Sequence, residues 1–209
     1  MLKAKRLRVI VGCEFSGIVR DAFRKLGHDA WSCDLLPDEN DSKYHIQGDI
    51  LDVLKNYKGC FDLGIFHPTC TYLTNSGVCW LWKHGASRWV KMIESSVFFK
   101  KLLEADIPKI AVENPVMHKY AIEIIGRKHD QLIQPYQFGH AERKATCLWL
   151  KNLKPLVSTL DVKDEMMKLP KNVSQRIHYA SPGPDRWKIR SRTFSGIAYA
   201  MASQWGGQV

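Results

Sequence analysis

Short apolar runs closed by glycine, acid or proline alternate with helix-length segments, and this alternation restricts the chain more than any other feature. "LRVIVG" (7–12) is the first such run. "SGIVRDAFRKLG" (16–27) follows, with Ile18, Val19, Ala22, Phe23 and Leu26 at helical spacing and Gly27 as a stop. "DAWSCD" (29–34) reads as a strand, "GDILDVLKNY" (48–57) as a short helix opened by an acid, and "FDLGIF" (61–66) as a buried strand. "ASRWVKMIESSVFFKKLLEAD" (86–106) is the longest expected helix, with Trp89, Ile93 and Val97 on one stripe. "PKIAVENP" (108–115) and "KATCLWL" (144–150) are later strands, and "SGIAYAMASQW" (195–205) a final helix. Strands separated by helices of this length make βαβ units and a parallel sheet with right-handed crossovers. The expected fold class is therefore α/β and Rossmann-like, with a mostly parallel central sheet flanked by helices.

In such folds ligands bind at the carboxyl ends of the strands. The distinctive residues fall there: Glu14–Gly17, Asp34, Asp49, Pro68–Cys70 and Glu113–Pro115. A length of 209 residues suits a single domain, 1–209, in which the Pro-, Gly- and charge-rich stretch 151–192 is an irregular elaboration. Hydrophobic content of 45% and charged content of 25% are ordinary for a globular protein. No apolar run is long enough to span a membrane, and "MLKAKRLRV" shows no separate apolar region before a cleavage site. A cytoplasmic protein is the expectation, and six cysteines without a secretory signal should be reduced thiols. Their spacing fits no zinc pattern, so no metal is expected. The net charge of +10 favours an anionic partner, with nucleic acid first.

The first strand–turn–helix unit can hold a nucleotide-like ligand, with Gly17 allowing close backbone approach. The dinucleotide pattern Gly-x-Gly-x-x-Gly is absent from "GCEFSGIVR". Glu14 beside the turn suits a ligand carrying positive charge, such as a sulfonium with its ammonium group. Asp34 ends a strand where an acid commonly bonds ribose hydroxyls. Asp49 could cap the next helix or accept from an adenine amino group. Cys70 and Glu113 each follow an apolar run and so should share one sheet edge, a thiol facing a carboxylate. Singly, each has a bland reading: a buried inert thiol, and turn chemistry at Glu113-Asn114-Pro115. Residues 71–91 contain no acid and interleave Tyr72, Trp80, Trp82 and Trp89 with Lys83, Arg88 and Lys91, which suits stacking and phosphate contact. Residues 74–91 are expected to be a loop closing over a base, and "SPGPDRWKIRSR" (181–192) a phosphate-contacting loop.

In order along the chain, these motifs resemble the DNA cytosine-5 methyltransferases, especially compact phage- and prophage-type members, which implies a bacterial or phage-infected cell. "EFSG" (14–17) resembles the Phe-x-Gly cofactor turn; "CDLLP" (33–37) and "GDI" (48–50) resemble the two acidic cofactor positions. "HPTC" (67–70) resembles the Pro-Cys motif of the nucleophile, and "VENP" (112–115) the Glu-Asn motif that binds the target base. "FGHAERKATCLWL" (138–150) resembles the basic motif near the active site, and 195–205 the closing helix. The resemblance implies S-adenosyl-L-methionine held by Glu14, Phe15, Gly17, Asp34, Asp49, Ile50 and Pro68. It implies catalysis by Cys70, Glu113 and Arg143, and contact with single- or double-stranded DNA by Asn75, Arg88, Lys144, Arg186, Lys188 and Arg190. Cys70 would attack carbon 6 of cytosine, Glu113 would hold the ring at N3, and carbon 5 would take the methyl group. RNA, a free pyrimidine nucleotide or a different transferred group are alternatives within the same chemistry. A non-catalytic nucleic-acid-binding module is a further one. The pattern departs from the family at Thr69, where proline is usual, at Val19, near the second glycine, and in "AERKAT". Only 151–192 stands in the place of a target-recognition domain, so loose sequence specificity is expected.

Overall fold

The computed structural model describes residues 5–209. A seven-stranded sheet is built from β1 (Arg8–Gly12), β2 (Asp29–Asp34), β3 (His45–Gln47), β4 (Leu63–Phe66), β5 (Lys109–Asn114), β6 (Gln131–Ile133) and β7 (Thr146–Lys151). Its order is β3-β2-β1-β4-β5-β7-β6. The pairs among β1 to β5 are parallel, and β7 runs antiparallel to both β5 and β6. The order reverses between β1 and β4, which opens a crevice at their carboxyl ends.

The strands bury both faces, and their two-residue period divides the core into two layers. Val9 and Val11, with Ala111, Leu148 and Leu150, face α1 (Ile18–Lys25) and α9 (Ser195–Met201). Ile10, Phe66, Val112, Cys147 and Trp149 face the side holding α2 (Ile50–Asn56), α4 (Ala86–Leu103) and α5 (Lys119–Ile125). Each fully buried aliphatic or aromatic side chain contributes about 1.5–3 kcal/mol. α1 turns Val19 and Phe23, four residues apart, into the first layer. The far end of the chain seals this layer. Ile197, Ala198 and Met201 pack into it, Val209 donates its N–H to the Leu26 carbonyl at 3.0 Å, and His28 Nε2 meets the Gly207 carbonyl at 2.8 Å.

Arg20 on α1 is fully buried. Its guanidinium donates to Ser32 Oγ at 2.9 Å and to Asp38 at 2.5 Å, and also pairs with Asp21. Asp38 is itself buried and accepts from the Asn40 and Ser42 N–H groups. Burial pushes the Asp38 carboxyl up, but the Arg20 bond and these donors outweigh it and hold it below the usual carboxylate range. The guanidinium also explains Gly17. A Cβ there would lie 2.1 Å from Arg20 Nη2, and the backbone sits at φ 67°. Glycine at this turn thus serves an internal arginine, where the sequence suggested close approach of a ligand.

Several local expectations are corrected. Residues 74–91, expected as a loop, contain a 3₁₀ turn, α3 (Cys79–Lys83) and the start of α4. The stretch 151–192, expected to be irregular, carries α6 (Lys163–Lys168), α7 (Lys171–Ser174) and α8 (Arg186–Ser191). In α4 the stripe of Trp89, Ile93 and Val97 is not the buried one: Ile93 and Val97 are exposed, while Met92, Ser96, Phe99 and Leu103 face the core. The buried stripe runs through Ser96, whose hydroxyl donates to the Met92 carbonyl, so the apolar pattern pointed one residue away.

Candidate active site

The carboxyl ends of β4 and β5 carry the candidate chemistry, and sheet register sets who meets whom. Phe66 lies beside Val112 in the parallel ladder, so His67 comes beside Glu113 and Pro68 beside Asn114. His67 still donates its N–H to the Gly12 carbonyl at 3.0 Å, so it continues the β4 edge of the sheet. Its Nδ1 lies 3.0 Å from Glu113 Oε2. Asn114 Nδ2 donates to the Pro68 carbonyl at 3.1 Å, which fixes the peptide leading to Cys70. Beyond Cys70 the chain turns at once, with the Leu73 and Thr74 N–H groups returning to the Cys70 carbonyl. Thr69, which stands where the resemblance has proline, is exposed and lines the neighbouring pocket.

Burial pushes the Cys70 thiol up, the Glu113 charge adds to this, and Arg190 and Lys144 pull the other way without overcoming it. Glu113 has the opposite balance. Burial raises its carboxyl, but the His67 hydrogen bond and the charge of Lys144 hold it below the usual carboxylate range. His67 Nε2 and Asn114 Oδ1 are buried without a protein partner among the described residues. Buried polar atoms are normally paired, and two orphans at one sheet edge mark a place for a polar ligand.

Beside this edge, at the ends of β1 and β2, a cavity of about 360 Å³ is lined by Asp34, Gly48, Asp49, Ile50, Glu94 and Phe98, with Cys13, Cys33, Leu35, Thr69 and Ser95. Three carboxylates and no Lys, Arg or His make it a site for a neutral or cationic ligand. Burial pushes the Asp34 carboxyl up, against the bond that it accepts from the Leu36 N–H. Burial likewise pushes the Cys33 thiol up to about 12, so it is inert near neutral pH.

The sequence-derived cofactor set is only partly brought together. Asp34, Asp49 and Ile50 line the cavity, whereas Glu14, Phe15, Gly17 and Pro68 do not. Asp49 does cap α2, accepting from the Leu51 N–H at 2.8 Å. The Glu14 carboxylate is buried and accepts the Val19 and Arg20 N–H groups at 2.7 and 3.2 Å, so its negative charge is spent on the start of α1. Phe15 is buried against the Trp187 ring, with centroids 5.4 Å apart.

Arg143 is exposed and turns toward Met167 at 3.1 Å, away from the site expected for it. Its neighbour Lys144 is the residue whose charge reaches both Cys70 and Glu113. Lys144 Nζ is held by the Arg190 and Arg192 carbonyls at 2.9 and 3.2 Å. One residue of offset along an irregular stretch reverses which side chain faces inward. Among the remaining candidates for nucleic acid, Arg190 acts on Cys70, Asn75 is exposed and Lys188 pairs with Asp185 at 3.1 Å. Arg186 donates to the His178 carbonyl at 3.5 Å. Arg88 donates to the Thr71 carbonyl at 3.0 Å and lies over the Tyr72 ring, so it braces the turn after Cys70. His67 and Glu94 were not found from sequence. The histidine of "HPTC" was adjacent to a recognised motif, and only the β4–β5 register reveals its partner.

No family model and no curated protein matches this sequence. Solved structures do. A protein designated as a DNA modification methyltransferase encoded within an E. coli prophage is 15% identical, with TM-score 0.44 over 78% of this chain and 55% of that one. The Entamoeba histolytica methyltransferase EhMeth is 16% identical, with TM-score 0.48 over 75% and 58%. The S. pombe Dnmt2 methyltransferase is 16% identical, with TM-score 0.44 over 87% and 61%. The strand order with its reversed β7 decides the class. The fold is α/β, with a mostly parallel sheet flanked by helices. This chain spans 55–61% of the length of those structures. Within this fold, the acid-lined cavity occupies the β1–β2 side and the thiol–carboxylate pair the β4–β5 side. No helix among the described residues is long and apolar enough to cross a membrane. No group of three His, Cys, Asp or Glu among them could hold a metal ion.

Proposed function

We propose that the protein transfers a methyl group to carbon 5 of cytosine in DNA through a covalent adduct on Cys70. The observation that carries this reading is the pairing of adjacent strand ends: Cys70 follows β4, Glu113 lies near the end of β5, and the charge of Lys144 reaches both. The cavity fits S-adenosyl-L-methionine in charge, since Asp34, Asp49 and Glu94 suit its sulfonium and ammonium groups and an end-of-strand acid suits ribose hydroxyls. Asp34, Asp49, Ile50 and Glu94 would hold it, and when bound it supplies an electrophilic methyl group.

Carbon 5 of cytosine is a weak nucleophile until carbon 6 is saturated. Cys70 acts as a thiolate on carbon 6, and the negative charge moves into the ring toward N3. Glu113 meets N3 and the exocyclic amine, where that charge collects, and Lys144 stabilises the thiolate by its positive charge. Release reverses this: carbon 5 loses its proton and the Cys70–carbon 6 bond breaks. The target base must leave its duplex or come from a single strand. The short helices between 163 and 191 give little room for reading sequence, so contacts to phosphate should dominate.

The deciding measurement is the intact mass after incubation with 5-fluorocytosine DNA and S-adenosyl-L-methionine. Fluorine cannot leave carbon 5 as a proton does, so the adduct persists. A mass increase equal to the oligonucleotide plus a methyl group is expected. Adduct formation with RNA alone would move the substrate to RNA, and no adduct with either would overturn the reading. The geometry also ranks two neighbouring cations. Lys144→Met should slow adduct formation roughly 10²-fold, as expected for loss of a charge at the reacting centre. Arg143→Ala should change it by less than about threefold. Stopped assays on both variants compare them directly.

A further inference from the structure

His67 is the group at the candidate site that the proposed mechanism leaves without a task. Its side chain is 7% exposed and Nδ1 lies 3.0 Å from Glu113 Oε2, whose own side chain is 12% exposed. Register across β4 and β5 fixes the pair, so it is a product of the sheet itself. The other ring nitrogen, Nε2, is buried and has no protein partner among the described residues. The Glu14 carboxylate, engaged with the start of α1, feels the charge of His67. Lys144 is the other cation acting on Glu113. A histidine placed among these groups does more than fill space. An imidazole can carry the proton that its carboxylate partner needs at one stage and must shed at another.

We infer that His67 is a positioning residue that acts through Glu113, storing on Nδ1 the proton that Glu113 delivers to N3 of the target pyrimidine. This rests on the cytosine reading above. The step begins from the imidazolium–carboxylate form of the pair, across the 3.0 Å contact. When the Cys70 thiolate bonds to carbon 6, an electron pair moves to N3. His67 Nδ1 passes its proton to Glu113, which delivers it to N3, leaving a neutral imidazole and a carboxylate. When carbon 5 loses its proton and the carbon–sulfur bond breaks, the N3 proton returns by the same route. No oxidant or further reactant is needed. The unpartnered Nε2 is the atom through which the imidazole can meet a ligand group or solvent during this cycle.

The test uses the full chain and two variants. His67→Ala removes the imidazole. His67→Asn keeps a donor to Glu113 but cannot carry a proton. In the wild type the rate of adduct formation with 5-fluorocytosine DNA should climb with pH as Cys70 ionises, then level once the His67–Glu113 pair loses its proton. Both variants should be about 10²-fold slower at neutral pH, the usual size of a general acid–base contribution. Both should climb without levelling. Wild-type rate and wild-type levelling in His67→Asn would overturn the proton role, because a hydrogen bond alone would then suffice. A second readout needs no turnover: titration of the Glu113 carboxyl carbon by ¹³C NMR. In His67→Ala the Glu113 midpoint should move up, since burial is then opposed by Lys144 alone. An unmoved midpoint overturns the inference whatever the activity. A moved midpoint with no adduct on DNA or RNA leaves the His67–Glu113 coupling standing and removes the cytosine reading instead.

Discussion

Cys70→Ala is expected to abolish the covalent adduct and to lower methyl transfer by roughly 10⁴-fold, the scale of losing a nucleophile that shares the work with its neighbours. Binding of a cytosine-containing oligonucleotide should change little, because the thiol supplies few contacts in the ground state. Cys79→Ala is the control: Cys79 is exposed, opens α3, and takes no part in the Cys70–Glu113 pair. Its rate should stay within about twofold of wild type. The pH dependence follows from the direction of the Cys70 shift. Burial and Glu113 push the thiol above its ordinary value, so the reactive thiolate is a minor form at neutral pH. On the acid side the wild-type rate should therefore rise about tenfold per pH unit. Cys70→Ala retaining the adduct would sink the assignment, and a flat profile from pH ~6 to ~8 in His67→Asn, which lacks the levelling group, would show the thiolate already formed.

Arg20→Met should cost about 3–5 kcal/mol of stability, because it strands the buried Asp38 carboxylate while nearly conserving volume. For a chain of this size that is roughly a 10 °C drop in Tm. The pH dependence gives a second readout. The Asp38 carboxyl titrates lower in the folded state than in the unfolded one, so its stabilisation is present above the unfolded value, near pH 4, and is lost as pH falls through the folded value. The wild type should therefore lose stability on the acid side below pH ~4, and Arg20→Met should lose less there because it has less to lose. Thermal melts by circular dichroism between pH ~3 and ~7 separate the curves. A Tm change under about 2 °C at neutral pH would show that Asp38 finds other partners.

The sequence disclosed the sheet's main strands because each is a short, uninterrupted apolar run with a turn or acid at its end. β3 and β6 escaped it: each has three residues, too few for a period to show. α5 was hidden by "KYAIEII", whose apolar residues suit strand or helix equally and whose cap is a histidine. The placement of Cys70, Glu113, Asp34 and Asp49 at the carboxyl side of the sheet was legible because each closes or follows a short apolar run or opens the next helix. Three features were not. The His67–Glu113 contact depends on register between strands 46 residues apart. The exchange of Lys144 for Arg143 depends on how an irregular stretch turns. The occupation of Glu14 by the Val19 and Arg20 amides depends on the bend at Gly17, which spacing alone could not distinguish from a ligand-facing acid.

The seal between α1 and the final residues sets an order of events during synthesis. Val19 and Phe23 leave the ribosome well before Ile197, Ala198 and Met201, which cover them. Until then the nascent first unit shows a bare apolar face, and the loop to be closed is nearly the whole chain. Folding of the layer that holds the turn at Gly17 thus waits for α9 to emerge. A ribosome-stalled chain lacking only α9 should be trapped in that sticky state, although α9 touches none of the reacting groups.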